Sequence, residues 1–202
     1  MLADEGAQRG PGWRAALLGA PIGASILALS FALLDPAPAL ASCLLAAAMA
    51  AIAISDARNF IVPDILSLPA IPAGLLATGW LGVPPDDAIA EHLGAALVAA
   101  FALFALRWAY AALRGREGLG LGDVKLAAVA GAWSGFAGLP TIMLLACVAA
   151  IGAVLVMKAS GRAAVTAITP VPFGAFLAPA IWVVWFAQAA GFLQDAALAY
   201  AI

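Results

Sequence analysis

Apolar runs of membrane length recur along this chain from Ala15 to Phe192, parted only by short polar loops. A spanning helix needs about 20 mostly apolar residues, because its backbone must satisfy its own hydrogen bonds where water is absent. Candidate spans cover Ala15–Leu34, Ala39–Ser55, Ile65–Val83, Ala88–Leu113, Asp123–Phe136, Leu139–Met157 and Pro172–Phe192. Asp35-Pro36-Ala37-Pro38 stops the first and Pro63-Asp64 opens the third. Gly138-Leu139-Pro140 predicts a tight turn after the short fifth. Between five and seven spans fit this pattern, and seven is the expectation. The expected fold class is all-α: a polytopic helical membrane protein with a polar tail over 1–13 and one integral-membrane domain over 14–202. The first run follows basic residues and precedes Ala39-Leu40-Ala41, as a signal peptide would. Its apolar stretch exceeds the roughly 7–15 residues of a signal core, so an uncleaved first helix is expected.

Composition supports this reading. The chain is 66% hydrophobic and only 10% charged over 202 residues, whereas soluble domains are about a quarter charged. A net charge of −2 with no basic stripe excludes a nucleic-acid partner. Cys43 and Cys147 lie inside apolar runs without metal-ligand spacing, and read as buried small hydrophobes. His92 is the one histidine, which argues against a histidine metal site or a Ser-His-Asp triad and suggests an interfacial side chain.

Charge sets the orientation. Lys and Arg concentrate in cytoplasmic loops. With seven spans and the N-terminus inside, Arg9, Arg14, Arg58, Arg107, Arg114, Arg116, Lys125, Lys158 and Arg162 all fall on the cytoplasmic side. The outer loops carry Asp35, Asp86, Asp87, Glu91 and Asp195. Asp56, Asp64 and Asp123 then share the inner face.

Asp56 and Asp123 each stand where an apolar run meets a polar loop. Ionisable groups at such positions are costly and often functional. Two carboxylates at one membrane face suggest an acid/base pair. Each also has a structural reading. Asp123 follows Gly120-Leu121-Gly122 and suits an N-cap; functionally, those glycines would let a peptide substrate approach the backbone and pair along an extended edge. Asp56 ends a helix, where an acid opposes the helix dipole, with Arg58 as local compensation. Asp64 after Pro63 reads first as the N-cap of the third helix. Ala127, Gly131 and Gly135 recur every four residues and form a small-residue packing face. Trp80, Trp182 and Trp185 read as interfacial anchors.

Taken together, three segments carry a resemblance. Asp56 is followed by Arg58-Asn59-Phe60-Ile61-Val62-Pro63-Asp64; then come Gly120-Leu121-Gly122-Asp123-Val124-Lys125-Leu126 and Pro172-Phe173-Gly174-Ala175-Phe176-Leu177-Ala178-Pro179. Over about residues 40–180 the chain resembles the type IV prepilin peptidases, membrane aspartyl proteases of the GxGD class. The resemblance implies Asp56 and Asp123 as the catalytic pair. It implies supporting roles for Asp64, Pro63, Gly120, Gly122, Lys125, Pro172, Phe173 and Gly174, and no cofactor. Bifunctional members carry two CxxC pairs in an N-terminal region; this sequence has none, so neither a zinc site nor N-methylation is expected.

The implied substrate is a prepilin or pseudopilin with a short basic leader, a Gly before the cut and then a long apolar helix. The implied location is the bacterial cytoplasmic membrane. An aspartyl dyad activates water directly: one carboxylate takes a proton from it, and the other polarises the scissile carbonyl. The pair holds one proton and titrates as a unit. Presenilin-like proteases share GxGD but not the Pro-Asp loop or the late Pro-Phe-Gly. A proton-coupled carrier would call for mid-span acids and an inverted repeat, and neither is visible. A non-enzymatic assembly subunit is the remaining alternative.

Overall fold

The computed structural model describes residues 12–81, 85–116, 118–160 and 171–193, without the side chains of 12–20 and 80–87. Six helices make up the described chain: α1 (Gly12–Leu33), α2 (Pro36–Asn59), α3 (Asp64–Leu81), α4 (Pro85–Arg114), α5 (Leu121–Ala159) and α6 (Gly174–Ala189). No strand occurs among the described residues. α2, Ala88–Arg114 of α4, and α5 are long and apolar enough to cross a membrane; α1, α3 and α6 supply shorter apolar stretches. The all-α membrane expectation therefore holds. Of the polar tail expected over 1–13, Gly12 and Trp13 belong to α1 and the rest lies outside the described residues. The side chains of Arg14, Trp80, Asp86 and Asp87, together with Arg9, Glu117, Arg162 and Asp195, also lie outside that set.

The expected fifth and sixth spans are both contained in α5, and the break between them falls earlier than Gly138-Leu139-Pro140. It is at Gly135, with φ 60° and ψ −169°, a conformation that suits only glycine. Asp123, before the break, and Cys147 to Leu155, after it, line one cavity, so α5 doubles back at Gly135. The described chain thus has seven helical segments. Breaking a helix inside an apolar environment orphans backbone groups, and long-range partners satisfy them here. The Phe136 N–H donates to Glu91 Oε1 at 2.7 Å, and Gln188 Nε2 donates to the Ser134 carbonyl at 3.1 Å. A Cβ at Gly135 would stand 2.6 Å from Glu91 Oε2.

Helical periodicity explains the core. Leu45, Met49 and Ile52 fall on one face of α2; Leu126, Ala130 and Trp133 on one face of α5; Leu177, Ile181 and Val184 on one face of α6. α6 packs between α2 and the first half of α5. Ser30 and Ser42 hydrogen-bond across α1 and α2 at 2.9 Å, and Trp182 Nε1 donates to Ser42 Oγ. Interhelical polar links of this kind hold helices that the apolar effect cannot sort in lipid. Large apolar side chains such as Leu44, Ile65, Leu76, Phe101 and Leu113 point outward, as a lipid-facing surface requires.

Several expectations need correction. Trp185 is a core residue, edge-on to Trp133 at 5.2 Å, and Trp182 is a half-buried interhelical donor, so neither is an interfacial anchor. Gly131 does pack closely, but against the Ala95–Ala96 backbone of α4, and Gly135 is the helix break and no part of that face. His92 is not at a free interface: Nδ1 lies 3.2 Å from Thr78 Oγ1 and 3.0 Å from the Ala132 carbonyl, and Nε2 pairs with Glu91. Cys43 is half-buried and Cys147 is exposed.

Candidate active site

The core faces of α2, α5 and α6 lead to one end of the bundle, and there they stop being apolar. Asp56 continues the Leu45-Met49-Ile52 face one turn on, Asp123 precedes Leu126 by three residues, and Gly174 precedes Leu177 by three. Each helix thus brings a residue of its terminal turn to the same place. Asp56 and Asp123 are both buried, at 6% and 8% exposure. They open into one cavity of about 720 Å³ and are close enough to interact electrostatically.

Asp56 lies in the last turn of α2, which ends because Phe60 turns left-handed at φ 54° and returns its N–H to the Asp56 carbonyl. Ser55 Oγ donates to the Ile61 carbonyl at 2.8 Å and tightens the turn. The Asp56 carboxylate reaches across to α6, where Oδ2 accepts the Ala175 N–H at 2.8 Å. That donor belongs to the first turn of α6, where helix N–H groups lack internal partners and favour an anion. Gly174 makes the approach feasible, since a Cβ there would meet Asp56 Oδ2 at 3.0 Å.

Asp123 is not the N-cap of α5. Gly120 holds that position and Asp123 is the third residue of the helix, its Oδ2 accepting the Gly120 N–H at 3.2 Å. This is the half of a capping box in which the acid reaches back to the cap. Gly122 lies inside the helix, where a Cβ would come 2.7 Å from Val62 Cγ2. Its glycine character serves close packing against the α2–α3 turn; the extended residue of the motif is Gly120, which lines the cavity. Val62 is the residue that sequence reasoning passed over. Buried in an otherwise exposed turn, it is wedged against both Gly122 and Gly174 and keys the Asp56 loop to the other two helices. Flanked by Phe60, Ile61 and Pro63, it carries no local signal that sets it apart.

The supporting residues divide. Asp64 is the first residue of α3 rather than its cap; the Pro63 carbonyl accepts the Leu66 and Ser67 N–H groups, and Asp64 pairs with Lys125 Nζ. That pair ties α3 to the first turn of α5, on the outside of the site. Pro172 and Phe173 line the cavity, along with Phe60, Tyr110, Arg116 and the Gly118–Gly120 backbone. Its remaining wall is apolar and comes from the returning half of α5, including Cys147, Ile151 and Leu155. Among the described residues no three His, Cys, Asp or Glu side chains group as a metal site would require.

Two buried carboxylates on separate helices, one of them in a GxGD turn, share one cavity, and residues 43–156 match the model of the type IV leader peptidase family. The chain belongs to the type IV leader peptidase family. It is 38% identical over 159 residues to a prepilin leader peptidase/N-methyltransferase of Burkholderia pseudomallei, covering 76% of this chain and 48% of that protein. The counterpart in Pseudomonas aeruginosa is 37% identical over 135 residues, 66% of this chain and 44% of that one. The leader peptidase HopD of Escherichia coli is 38% identical over 138 residues, 67% of this chain and 86% of its own length. The chain spans about half the length of the bifunctional relatives it matches. No solved structure matches it. Within this leader peptidase fold, both aspartates, both motif glycines and the Pro-Phe-Gly segment meet at one site, while Asp64 and Lys125 stand beside it.

Proposed function

We propose that this chain is an integral-membrane aspartyl endopeptidase that removes the basic leader from type IV prepilin or pseudopilin precursors at the cytoplasmic membrane face. The observation that carries the reading is the pairing of Asp56 and Asp123 across one cavity, the first held by a backbone N–H of α6 and the second by the N–H of its own helix cap. Water between the carboxylates loses a proton to the ionised one and attacks the scissile carbonyl, which the protonated one polarises. The proton then passes to the leaving amine. Fixed N–H donors cost no reorganisation as charge shifts between the two groups. Asp64, Pro63 and Lys125 support the fold of the site; Gly120, Gly122, Pro172, Phe173 and Gly174 shape it.

The orientation is argued from charge. Arg58, Arg107, Arg114, Arg116, Lys125 and Lys158 belong to the dyad end of the bundle by helix order, whereas Asp35 and Glu91 belong to the other. By the positive-inside rule the dyad faces the cytoplasm of a bacterial inner membrane, the side on which a basic leader waits. The apolar wall on the returning half of α5 suits the apolar helix that follows the cut.

The test is co-expression with a tagged prepilin in cells lacking their own peptidase, read as a size shift on an immunoblot. The parent should process the precursor, and Asp56→Asn and Asp123→Asn should not. The double variant should be no worse than either single one, because the carboxylates act as a unit. Processing that survives both substitutions ends the dyad assignment.

A further inference from the structure

The loop that carries the motif glycines is held from outside the motif. Two α4 side chains three residues apart, and so on one helix face, grip its backbone. Arg107 Nη1 donates to the Leu119 carbonyl. The ring of Tyr110 lies flat against Gly118, where a Cβ would come 2.5 Å from ring atoms Cδ1 and Cε1. The next residue, Gly120, is extended at φ −73° and ψ 150°, and its N–H meets the Asp123 carboxylate. The route from α4 to the dyad is therefore continuous: guanidinium and ring, backbone of 118–119, Gly120 N–H, Asp123.

We propose that Arg107 and Tyr110 are positioning residues of the peptidase, clamping the Gly118–Gly120 backbone so that its N–H fixes the Asp123 carboxylate, and that Gly118 is required for the clamp to close. The inference rests on the peptidase reading above. Neither α4 residue belongs to the GxGD motif, and the clamp assigns each a separable task. The guanidinium supplies a charge-assisted hydrogen bond to the Leu119 carbonyl and so holds the 118–120 backbone. The Tyr110 ring supplies a flat stop that only a glycine can meet. A loosened loop displaces the carboxylate from its productive geometry, and displacements of about 1 Å cost on the order of 100-fold in rate. The clamp acts on the chemical step and leaves the rest of the substrate surface in place.

The experiment measures kcat and KM separately on a purified prepilin substrate in detergent, for the parent, Arg107→Ala, Arg107→Lys, Tyr110→Phe, Gly118→Ala and the Arg107→Ala/Gly118→Ala double variant. Arg107→Ala and Gly118→Ala should each lower kcat about 10- to 100-fold with KM little changed. Lys at 107 keeps a cation that can reach the Leu119 carbonyl and should restore part of the rate. Tyr110→Phe keeps the ring and should lose less rate than Gly118→Ala. The double variant should fall no further than the weaker single, because both changes release the same backbone. An unchanged kcat in Arg107→Ala, a loss confined to KM, or losses that multiply in the double variant would each overturn the clamp. Should Arg107→Ala fail to fold, Gly118→Ala leaves both α4 side chains intact and carries the same test. A parent that cleaves and an Asp123→Asn that does not establish the peptidase independently, so an unaffected Arg107→Ala beside them sinks only the clamp.

Discussion

Replacing Gly131 with alanine should unfold this protein more easily, and replacing Gly152 with alanine should not. Both are interior glycines of α5, and the intrinsic change is the same: alanine is favoured over glycine in a helix by about 1 kcal/mol. Their surroundings are opposite. A Cβ at Gly152 meets nothing within 4 Å. A Cβ at Gly131 would come 2.3 Å from the Ala96 amide nitrogen, 2.4 Å from the Ala95 carbonyl carbon and 2.5 Å from Ala96 Cα. Ordinary contacts begin near 3.4 Å, so α4 and α5 must part by about 1 Å. The obstacle is backbone, with no rotamer to swing aside. Overpacking of this kind costs about 1–3 kcal/mol, and the upper end applies when nothing flexible can yield. Gly131→Ala should therefore lose about 1–2 kcal/mol net of its propensity gain, while Gly152→Ala gains up to about 1 kcal/mol. Thermal unfolding in detergent, followed by tryptophan fluorescence, reads the difference locally, because Trp133 lies two residues beyond Gly131 and packs on Trp185. A Gly131→Ala protein that melts at or above the parent temperature, beside a stabilised Gly152→Ala, would refute the close approach of α4 to α5.

Glu91→Ala should destabilise the protein by about 1–3 kcal/mol, because the Phe136 N–H at the helix break loses its acceptor; Glu91→Gln, which keeps an acceptor oxygen, should lose less, and thermal unfolding compares them. Gly122→Val should abolish prepilin processing by driving Val62 out of its seat, read by immunoblot with folding checked by gel filtration; full processing would remove the wedge from the argument. Asp64→Asn should lower stability by less than about 1 kcal/mol, as expected of a pair whose side chains are 60% and 32% exposed, and raising the salt should shrink the difference between it and the parent.

Much of the fold was legible because a membrane protein writes its helices as long apolar runs. The breaks between α1 and α2 and between α2 and α3 followed from Asp35-Pro36-Ala37-Pro38 and Pro63-Asp64, which are local signals, although α2 extends past the expected Ala39–Ser55 at both ends. Asp56 and Asp123 were legible for a related reason, as carboxylates at the ends of such runs. What escaped the sequence depends on partners far along the chain. Asp56 is held by an N–H 119 residues away, and the Gly135 break is stabilised by Glu91 and Gln188, 45 and 54 residues from their partners. A turn signal such as Gly138-Leu139-Pro140 describes local preference, and here a tertiary acceptor and a tertiary donor hold the break three residues upstream. Trp182 and Trp185 were misread because an indole in an apolar run looks the same in sequence at a lipid interface, in an interhelical hydrogen bond such as that of Trp182, or in a core ring contact such as that of Trp185. Val62 escaped because its partners are glycines, which reveal nothing of what lies against them.

The short arm of α5 also bears on the lipid around the protein. Leu121 to Ser134 is 14 residues of helix, about 21 Å at 1.5 Å per residue, against a hydrocarbon layer about 30 Å thick. An arm of that length cannot carry both Asp123 and the Gly135 turn to opposite surfaces. The turn has its backbone groups satisfied by protein and tolerates submersion; the carboxylates need water. Mismatch of this size draws the bilayer inward around the shorter elements. Acyl-chain length then becomes a variable of the site: short-chain lipids should bring solvent to the aspartates, and long-chain lipids should hold it away.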